Sequence, residues 1–154
     1  VQTNLSGTIQ MVHQFLPHLL TKKSAAIVNV SSGIAFMSYS AAPIYSATKA
    51  GVRAYTQALR LQLEDTSVKV FEMIPPGVKT NLQNEWQVQP NQSMMMDADK
   101  MVNVVVKGLS NDKKELKPFA IRLIKTAARI MPNVLLKFGH KEFKKIKQLN
   151  KAEK

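Results

Sequence analysis

Ala26-Ile27-Val28-Asn29-Val30-Ser31-Ser32-Gly33, followed after a loop by Tyr45-Ser46-Ala47-Thr48-Lys49, is the stretch that decides the fold of this 154-residue chain. The β-branched residues predict a buried parallel strand over 24–30. A long helix is predicted from about Pro43, and a second strand over 68–74. Strands that alternate with helices indicate an α/β fold with a parallel sheet.

Tyr45 and Lys49 are four residues apart, so on a helix their side chains share one face. An ammonium beside a phenol favours the phenolate, which predicts that Lys49 lowers the pKa of Tyr45. Such a tyrosine can give a proton to a developing alkoxide or take one from an alcohol. Ser32, at the strand end, can hydrogen-bond the same oxygen, so the arrangement suggests carbonyl–alcohol interconversion. The alternative is a surface helix with an exposed tyrosine and a solvated lysine.

At these residues the chain resembles the short-chain dehydrogenases/reductases, whose active-site pattern is a strand ending in Ser and a following helix with Tyr-x-x-x-Lys. Ser32, rather than Ser31, has the family's spacing to the tyrosine. The resemblance implies that Ser32, Tyr45 and Lys49 are catalytic. It also implies a fourth catalytic residue, Asn4, which would hold a water that links Lys49 to solvent. A helix N-cap or another local hydrogen bond is the alternative for Asn4.

Pro75-Pro76-Gly77-Val78-Lys79-Thr80 resembles the family's Pro-Gly-x-Val-x-Thr loop, which holds the nicotinamide carboxamide. Pro76 stands where glycine is usual, so the local backbone must differ or be pre-set. The double proline, the Tyr-Ser-Ala-Thr-Lys motif and the basic C-terminal end are similar to the DltE-like branch of the family. Thr80 could instead cap the segment that follows it. The resemblance implies a cofactor, NAD or NADP, that is bound by Tyr45, Lys49, Pro75, Val78 and Thr80.

The family's glycine-rich phosphate-binding half has no counterpart in this sequence. Its six glycines are scattered, and no Gly-x-Gly-x-x-Gly can be drawn from them. We therefore expect the C-terminal half of a doubly wound parallel, Rossmann-type sheet, with an open edge and one uncovered face. Without a glycine loop at a helix N-terminus, the chain is expected to bind the dinucleotide weakly or not at all. The resemblance further implies a small carbonyl or alcohol substrate and a homo-oligomer built on the long helices.

The positive charge is concentrated at the C-terminal end. The formal net charge is +12, and residues 117–154 hold eleven Lys/Arg against Glu142 and Glu153, a net +9. A solvated lysine-rich face is the simplest interpretation. An anionic membrane surface is the alternative, with Phe138, Phe143, Ile146 and Leu149 lying beneath the lysines. Nucleic-acid binding is not expected, because no recognised motif accompanies the charge.

The composition excludes several classes of site. The chain has no cysteine, so it has neither a disulfide framework nor thiolate chemistry. No apolar run approaches the length of a membrane span. His13 and His18 lack metal-ligand spacing, so no metal site is expected. A cytoplasmic protein is predicted, with peripheral membrane association as the alternative.

The remaining elements complete the predicted organisation. Residues 81–96, which include Trp86 and Met94-Met95-Met96, match the family's mobile substrate lid in position. Residues 1–118 are predicted to form the catalytic half-domain, and residues 119–154 a basic helical extension. A non-enzymatic remnant or interaction module that acts through this extension is the alternative function. Four further helices are predicted, over 5–20, 99–109, 119–130 and 134–149. Pro17 lies near the end of the first, and Asp97 or Asp99 caps the second. A loop is predicted over 33–42 and a strand over 114–117.

Overall fold

The computed structural model describes residues 1–80 and 95–152 as alternating helices and strands. A π-helical turn (Gln2–Ser6) leads into the first helix, and a 3-10 turn (Gly33–Phe36) follows the first strand. The elements are α1 (Gly7–Leu20), β1 (Ala25–Val30), α2 (Pro43–Gln62), β2 (Val68–Met73), α3 (Ala98–Ser110), β3 (Glu115–Leu116), α4 (Phe119–Ile130) and α5 (Pro132–Ala152).

The three strands form one parallel sheet in the order β1-β2-β3. Strands β1 and β2 pair along their whole length, from Ala25 opposite Val68 to Val30 opposite Met73. Strand β3 adds two residues beside the end of β2, where Glu115 lies opposite Glu72. The predicted α/β fold with a parallel sheet is confirmed, and the C-terminal ends of β1 and β2 meet at one edge of the sheet.

Strand β1 is buried on one face only. Ile27 and Asn29 are buried, whereas Val28 is 38% exposed and Val30 45% exposed. Strand β1 pairs only with β2 in the described part of the chain, so its second edge lies open. The prediction of a wholly buried strand is therefore wrong, while the expected open edge and uncovered face are confirmed.

Helices α1 and α2 pack on the buried face of the sheet. Their apolar residues Val12, Leu59 and Leu63 form a core with Ile27 of β1 and residues of β2. Gly51 permits a close approach of α2 to the π-helical turn before α1, because a Cβ there would lie 3.1 Å from both methyl carbons of Leu5. Pro17 lies within α1, which continues to Leu20. The helix does not end at this proline, whose position in the last turn is tolerable.

Helix α4 has the predicted bounds, whereas α5 begins at Pro132, two residues before the predicted start. Proline at the first position of α5 agrees with the preference for proline at helix starts. Asp97 is the N-cap residue of α3, but its side chain makes no capping bond. Its carboxylate instead accepts a 2.8 Å hydrogen bond from Lys79 and lies 3.3 Å from Lys100. The capping role predicted for Asp97 is thus replaced by ion pairs.

The predicted substrate lid and part of the predicted membrane-facing surface involve residues that the structure does not describe. Most of the predicted substrate lid, including Trp86 and Met94, falls in residues 81–94. The side chains of Ile146 and Leu149 on α5 are likewise outside the described ones. Of the described helices, none combines the length and the apolar character that a membrane crossing requires.

Candidate active site

The end of β1 is fixed from two sides. The Gly33 N–H donates a 2.9 Å hydrogen bond to the Pro75 carbonyl, which extends the pairing of β1 and β2 beyond the strands. On its other side a Cβ at Gly33 would lie only 2.5 Å from Cδ1 of Ile121, so α4 approaches here as closely as glycine permits. Ser32 precedes this glycine and caps the 3-10 turn, where its Oγ accepts a 3.3 Å bond from the Ile34 N–H. The position of Ser32 is therefore set by the backbone on both sides.

The two adjacent serines have different partners. Ser31 is buried, and its hydroxyl donates a 2.6 Å hydrogen bond to Oε1 of Glu72. Side chains alternate along an extended chain, so Ser32 faces the opposite way. The Ser32 hydroxyl lies close enough to the Tyr45 phenol to lower the pKa of that phenol. The structure thus brings Ser32, not Ser31, to the tyrosine.

Tyr45 and Lys49 lie on consecutive turns of α2, as their spacing predicts. Lys49 Nζ donates a 2.9 Å hydrogen bond to the Val30 carbonyl and lies 5.6 Å from the centre of the Tyr45 ring. The lysine therefore joins α2 to the end of β1, and its ammonium lies over the ring.

The predicted lowering of the Tyr45 pKa is wrong. The side chain is 39% exposed, yet burial of the phenol raises its pKa, and the Ser32 hydroxyl lowers it by less. Burial also lowers the pKa of the Lys49 ammonium. Since removal from water disfavours the charged form of each group, desolvation outweighs the attraction that the spacing suggested. Tyr45 is a protonated phenol at neutral pH.

Asn4 lies in the π-helical turn that precedes α1. Turns of this kind are rare and occur frequently at functional sites. The Asn4 carbonyl accepts a 3.0 Å bond from the Thr8 hydroxyl. Asn4 and Lys49 line the same open cavity of about 560 Å³, together with Val28 and Val30 on the uncovered face of β1. The structure thus brings Asn4 to the cleft that Lys49 lines.

The segment after β2 enters the site through Pro75, whose carbonyl binds Gly33. Beyond Pro76 the chain pairs with Met96: the Met96 N–H donates to the Gly77 carbonyl at 2.8 Å, and the Lys79 N–H donates to the Met96 carbonyl at 3.0 Å. Val78 is opposite Met96 in this short parallel pairing. The contacts of Val78 and Thr80 with a cofactor stay predictions.

A charged cluster beside the site was not predicted. Glu72 is fully buried, and its Oε2 accepts a 2.7 Å bond from Arg53, which also donates to Glu115 at 3.1 Å. Lys117 and Lys125 also donate to Glu115. An acidic residue within the apolar strand Val68–Met73 was the signal in the sequence, because a buried carboxylate requires partners.

A larger cavity of about 770 Å³ lies apart from these residues. Its lining comes from residues 34–40, from the small residues Ala47 and Ala50 of α2, and from α5. Ser32, Tyr45 and Lys49 do not line it. His140 of α5 contributes to its wall and is 2.9 Å from the Ser40 hydroxyl. This cavity is therefore distinct from the cleft that Asn4 and Lys49 line.

The described residues fit one end of a nicotinamide cofactor. Lys49 offers N–H donors in an open cleft, which suits the hydroxyl groups of a ribose, and Tyr45 lies one helical turn before this lysine. The cleft lies beside β1 and is also lined by residues of α1. The sequence contains no glycine pattern for the pyrophosphate, so the fit extends to the nicotinamide ribose alone.

Comparison with protein families gives a match to the short chain dehydrogenase family over residues 1–91. Among curated proteins, the oxidoreductase DltE of Bacillus subtilis is 33% identical over 130 residues, which cover 84% of this chain and 52% of that protein. An oxidoreductase of Staphylococcus epidermidis is 36% identical over 80 residues, or 52% of this chain and 35% of that protein. The chain spans about half the length of the curated relatives that it matches, or less.

Solved structures show the same fold. A short chain dehydrogenase from Burkholderia cenocepacia in complex with NADP superposes with a TM-score of 0.73 at 24% identity, over 86% of this chain and 54% of that one. A serine dehydrogenase complexed with NADP+ gives a TM-score of 0.51 at 29% identity, over 55% of this chain and 36% of that one.

Proposed function

The chain belongs to the short-chain dehydrogenase family, and from this we propose that it forms the catalytic half of an oxidoreductase that interconverts a carbonyl and an alcohol. The observation that carries the proposal is the placement of Tyr45 and Lys49 on consecutive turns of α2, where Lys49 binds the Val30 carbonyl at the end of the strand that leads to Ser32. The substrate is a small molecule that presents its oxygen to the hydroxyls of Ser32 and Tyr45.

Tyr45 acts as the general acid and base. Burial raises the pKa of its phenol, so at neutral pH the residue carries the proton that a carbonyl oxygen must receive during reduction. Ser32 donates a hydrogen bond to the same oxygen and orients it. In the reverse direction the tyrosine must first lose its own proton, and the phenolate then takes the proton of the alcohol.

Lys49 and Asn4 support this pair. Lys49 fixes the tyrosine helix to the end of β1 and offers its remaining N–H groups to the ribose of the cofactor. Asn4 holds a water in the cleft that both residues line. Pro75, Val78 and Thr80 form the side of the site that contacts the nicotinamide carboxamide. When bound, NAD or NADP would accept or supply the hydride.

The first test is Tyr45→Phe in the full-length natural protein, with Tyr55→Phe as the matched control on the same helix. Oxidation of reduced nicotinamide is followed with a panel of ketones and aldehydes. We expect Tyr45→Phe to lower kcat about 10²–10⁴-fold, since general acid catalysis contributes that much. Tyr55→Phe is expected to stay within about twofold of the parent protein. Near-parental turnover in Tyr45→Phe would contradict the assignment.

A second candidate function is binding to an anionic membrane surface through α4 and α5. Phe119, Ile130, Val134 and Phe138 are all exposed on these helices, in a region of net charge +9. Exposed apolar side chains among lysines are the pattern of an interfacial helix. A homo-oligomer, which family membership implies, would also cover apolar helix faces. The vesicle test must therefore distinguish membrane binding from oligomer formation.

Co-sedimentation with vesicles of phosphatidylserine and phosphatidylcholine tests this candidate. We expect binding at low salt that weakens as salt rises, since surface charge attraction is screened. Phe138→Ala should reduce binding, whereas Leu61→Ala, an equally exposed apolar change on α2, should not. Equal sedimentation with neutral and anionic vesicles, or none with either, would exclude the candidate.

A further inference from the structure

Glu72 is a fully buried carboxylate whose two oxygens have different partners. Its Oε1 accepts a 2.6 Å hydrogen bond from the Ser31 hydroxyl. Its Oε2 accepts a 2.7 Å bond from Nη1 of Arg53, whose side chain is 14% exposed. Both bonds are short and charge-assisted, so they fix the directions of the groups they join. One side chain of β2 thereby holds β1 and α2 together.

Each partner of Glu72 leads directly to a residue of the proposed active site. Ser31 immediately precedes Ser32, and its own N–H is fixed by a 2.9 Å bond to the Met73 carbonyl. Arg53 follows Tyr45 and Lys49 at the same four-residue spacing, so the three side chains lie along one face of α2.

Arg53 also holds the turn that follows Ser32. Its guanidinium lies 4.4 Å from the centre of the Phe36 ring, within the distance of a cation–π contact. Phe36 ends the 3-10 turn that Ser32 caps. The chain is thus held on both sides of Ser32: Ser31 before it binds Glu72, and Phe36 after it contacts Arg53.

We propose that Glu72 is a positioning residue for the proposed reaction, which sets the geometry of the Ser32–Tyr45 pair through Ser31 and Arg53. The inference rests on the proposed function. A buried ion pair contributes little to stability compared with apolar residues of similar volume. Such a pair instead fixes the orientation of the groups bonded to it. A misplacement of about 1 Å at reacting groups can lower the rate about 10²-fold.

A purely structural role for Glu72 makes a different prediction. Loss of its bonds would then lower the melting temperature and leave the Ser32–Tyr45 contact unchanged. The ionisation of Tyr45 separates the two roles, because the Ser32 hydroxyl lowers the pKa of this phenol. Lys49 is the charged group beside that ring, and it stays in place in every variant below.

The test is a pH titration of the labelled tyrosine rings by carbon NMR, with the Tyr45 signal assigned from its loss in Tyr45→Phe. Ser32→Ala removes the partner of Tyr45, so the rise of the Tyr45 titration midpoint in this variant is the largest expected and serves as the reference. We expect Ser31→Ala and Glu72→Gln each to raise the midpoint by at least about half as much. The control is Thr56→Val, which removes another buried hydroxyl on α2 and should leave the midpoint unchanged.

Two results would overturn the inference. One is an unchanged titration midpoint of Tyr45 in Ser31→Ala. This variant tests the inference even if Glu72→Gln does not fold. The other is an equal shift in Thr56→Val, which would show that any loss of stability moves the tyrosine. In the full-length protein, Ser31→Ala is expected to lower kcat about tenfold with little change in KM. Shifted midpoints without any nicotinamide turnover would refute the proposed reaction and leave the positioning by Glu72 intact.

Discussion

Glu115→Gln tests how the charged cluster contributes to stability. Burial of Glu115 opposes its ionisation, but hydrogen bonds from Lys117, Lys125 and Arg53 outweigh it and lower the carboxyl pKa from 4.5 to about 2. Glutamine keeps the shape of the side chain and one accepting oxygen, and it removes the charge. Three cations then face a neutral group, so we expect the free energy of unfolding to fall.

The magnitude follows from the pKa shift. The fall of the Glu115 pKa from 4.5 to about 2 corresponds to about 3.4 kcal/mol at pH 7, since a tenfold change in an equilibrium constant is about 1.36 kcal/mol. The side chain is 16% exposed, and solvent screening reduces this to an expected loss of about 2–3 kcal/mol. Because the folded-state pKa is the lower one, the stabilisation is present above pH 4.5 and is lost as the pH falls toward 2. At pH 3 about 1.4 kcal/mol of the unscreened value remains.

The assay is urea unfolding of the parent protein and of Glu115→Gln at pH 7 and pH 3. The difference between the two proteins should shrink by about half or more between these pH values. Glu64→Gln, at an exposed glutamate between α2 and β2, is the matched control and should change stability by less than about 0.5 kcal/mol. A constant difference at both pH values would refute the reasoning, because it would show a loss of packing rather than of charge.

Further changes probe the packing around the site. Ile121→Ala should lower the unfolding free energy by about 2–5 kcal/mol, since the side chain is fully buried; thermal or urea unfolding measures this. Gly33→Ala should cost about 1–3 kcal/mol, because its new methyl group would meet Cδ1 of Ile121. Ile121→Val removes that atom, so a double-mutant cycle should recover part of the cost, and strict additivity would contradict the contact. Thr56→Val leaves the buried Asn29 amide without its acceptor and should cost about 1–3 kcal/mol. The same change at exposed Thr126, whose hydroxyl also donates to a carbonyl four residues back, should cost less than about 0.5 kcal/mol.

Local patterns predicted the elements and the face that carries the site. The β-branched run before Ser31 and the four-residue spacing of Tyr45 and Lys49 depend on the periods of a strand and a helix, which the sequence displays directly. The choice of Ser32 over Ser31 came from the resemblance, since Ser32 has the family's spacing to the tyrosine. The structure supplies its physical reason, since Ser31 is turned toward Glu72.

What the sequence could not give depends on residues far apart in the chain. Glu72 meets Arg53 from 19 residues away, and Arg53 meets Glu115 from 62 residues away. The sign of the Tyr45 pKa shift depends on how much water the fold removes, which spacing does not reveal. The uncovered face of β1 was predicted from the family resemblance and not from a local pattern, because Val28 and Val30 are as apolar as Ile27.

The contact between Gly33 and Ile121 joins α4 mechanically to the end of β1. A movement of α4 toward the sheet at this point would press on the residue after Ser32, because a methyl group at Gly33 would already meet Cδ1 of Ile121. If a surface partner that shifts α4 in this way changes the affinity for the substrate, the substrate changes the affinity for that partner by the same factor.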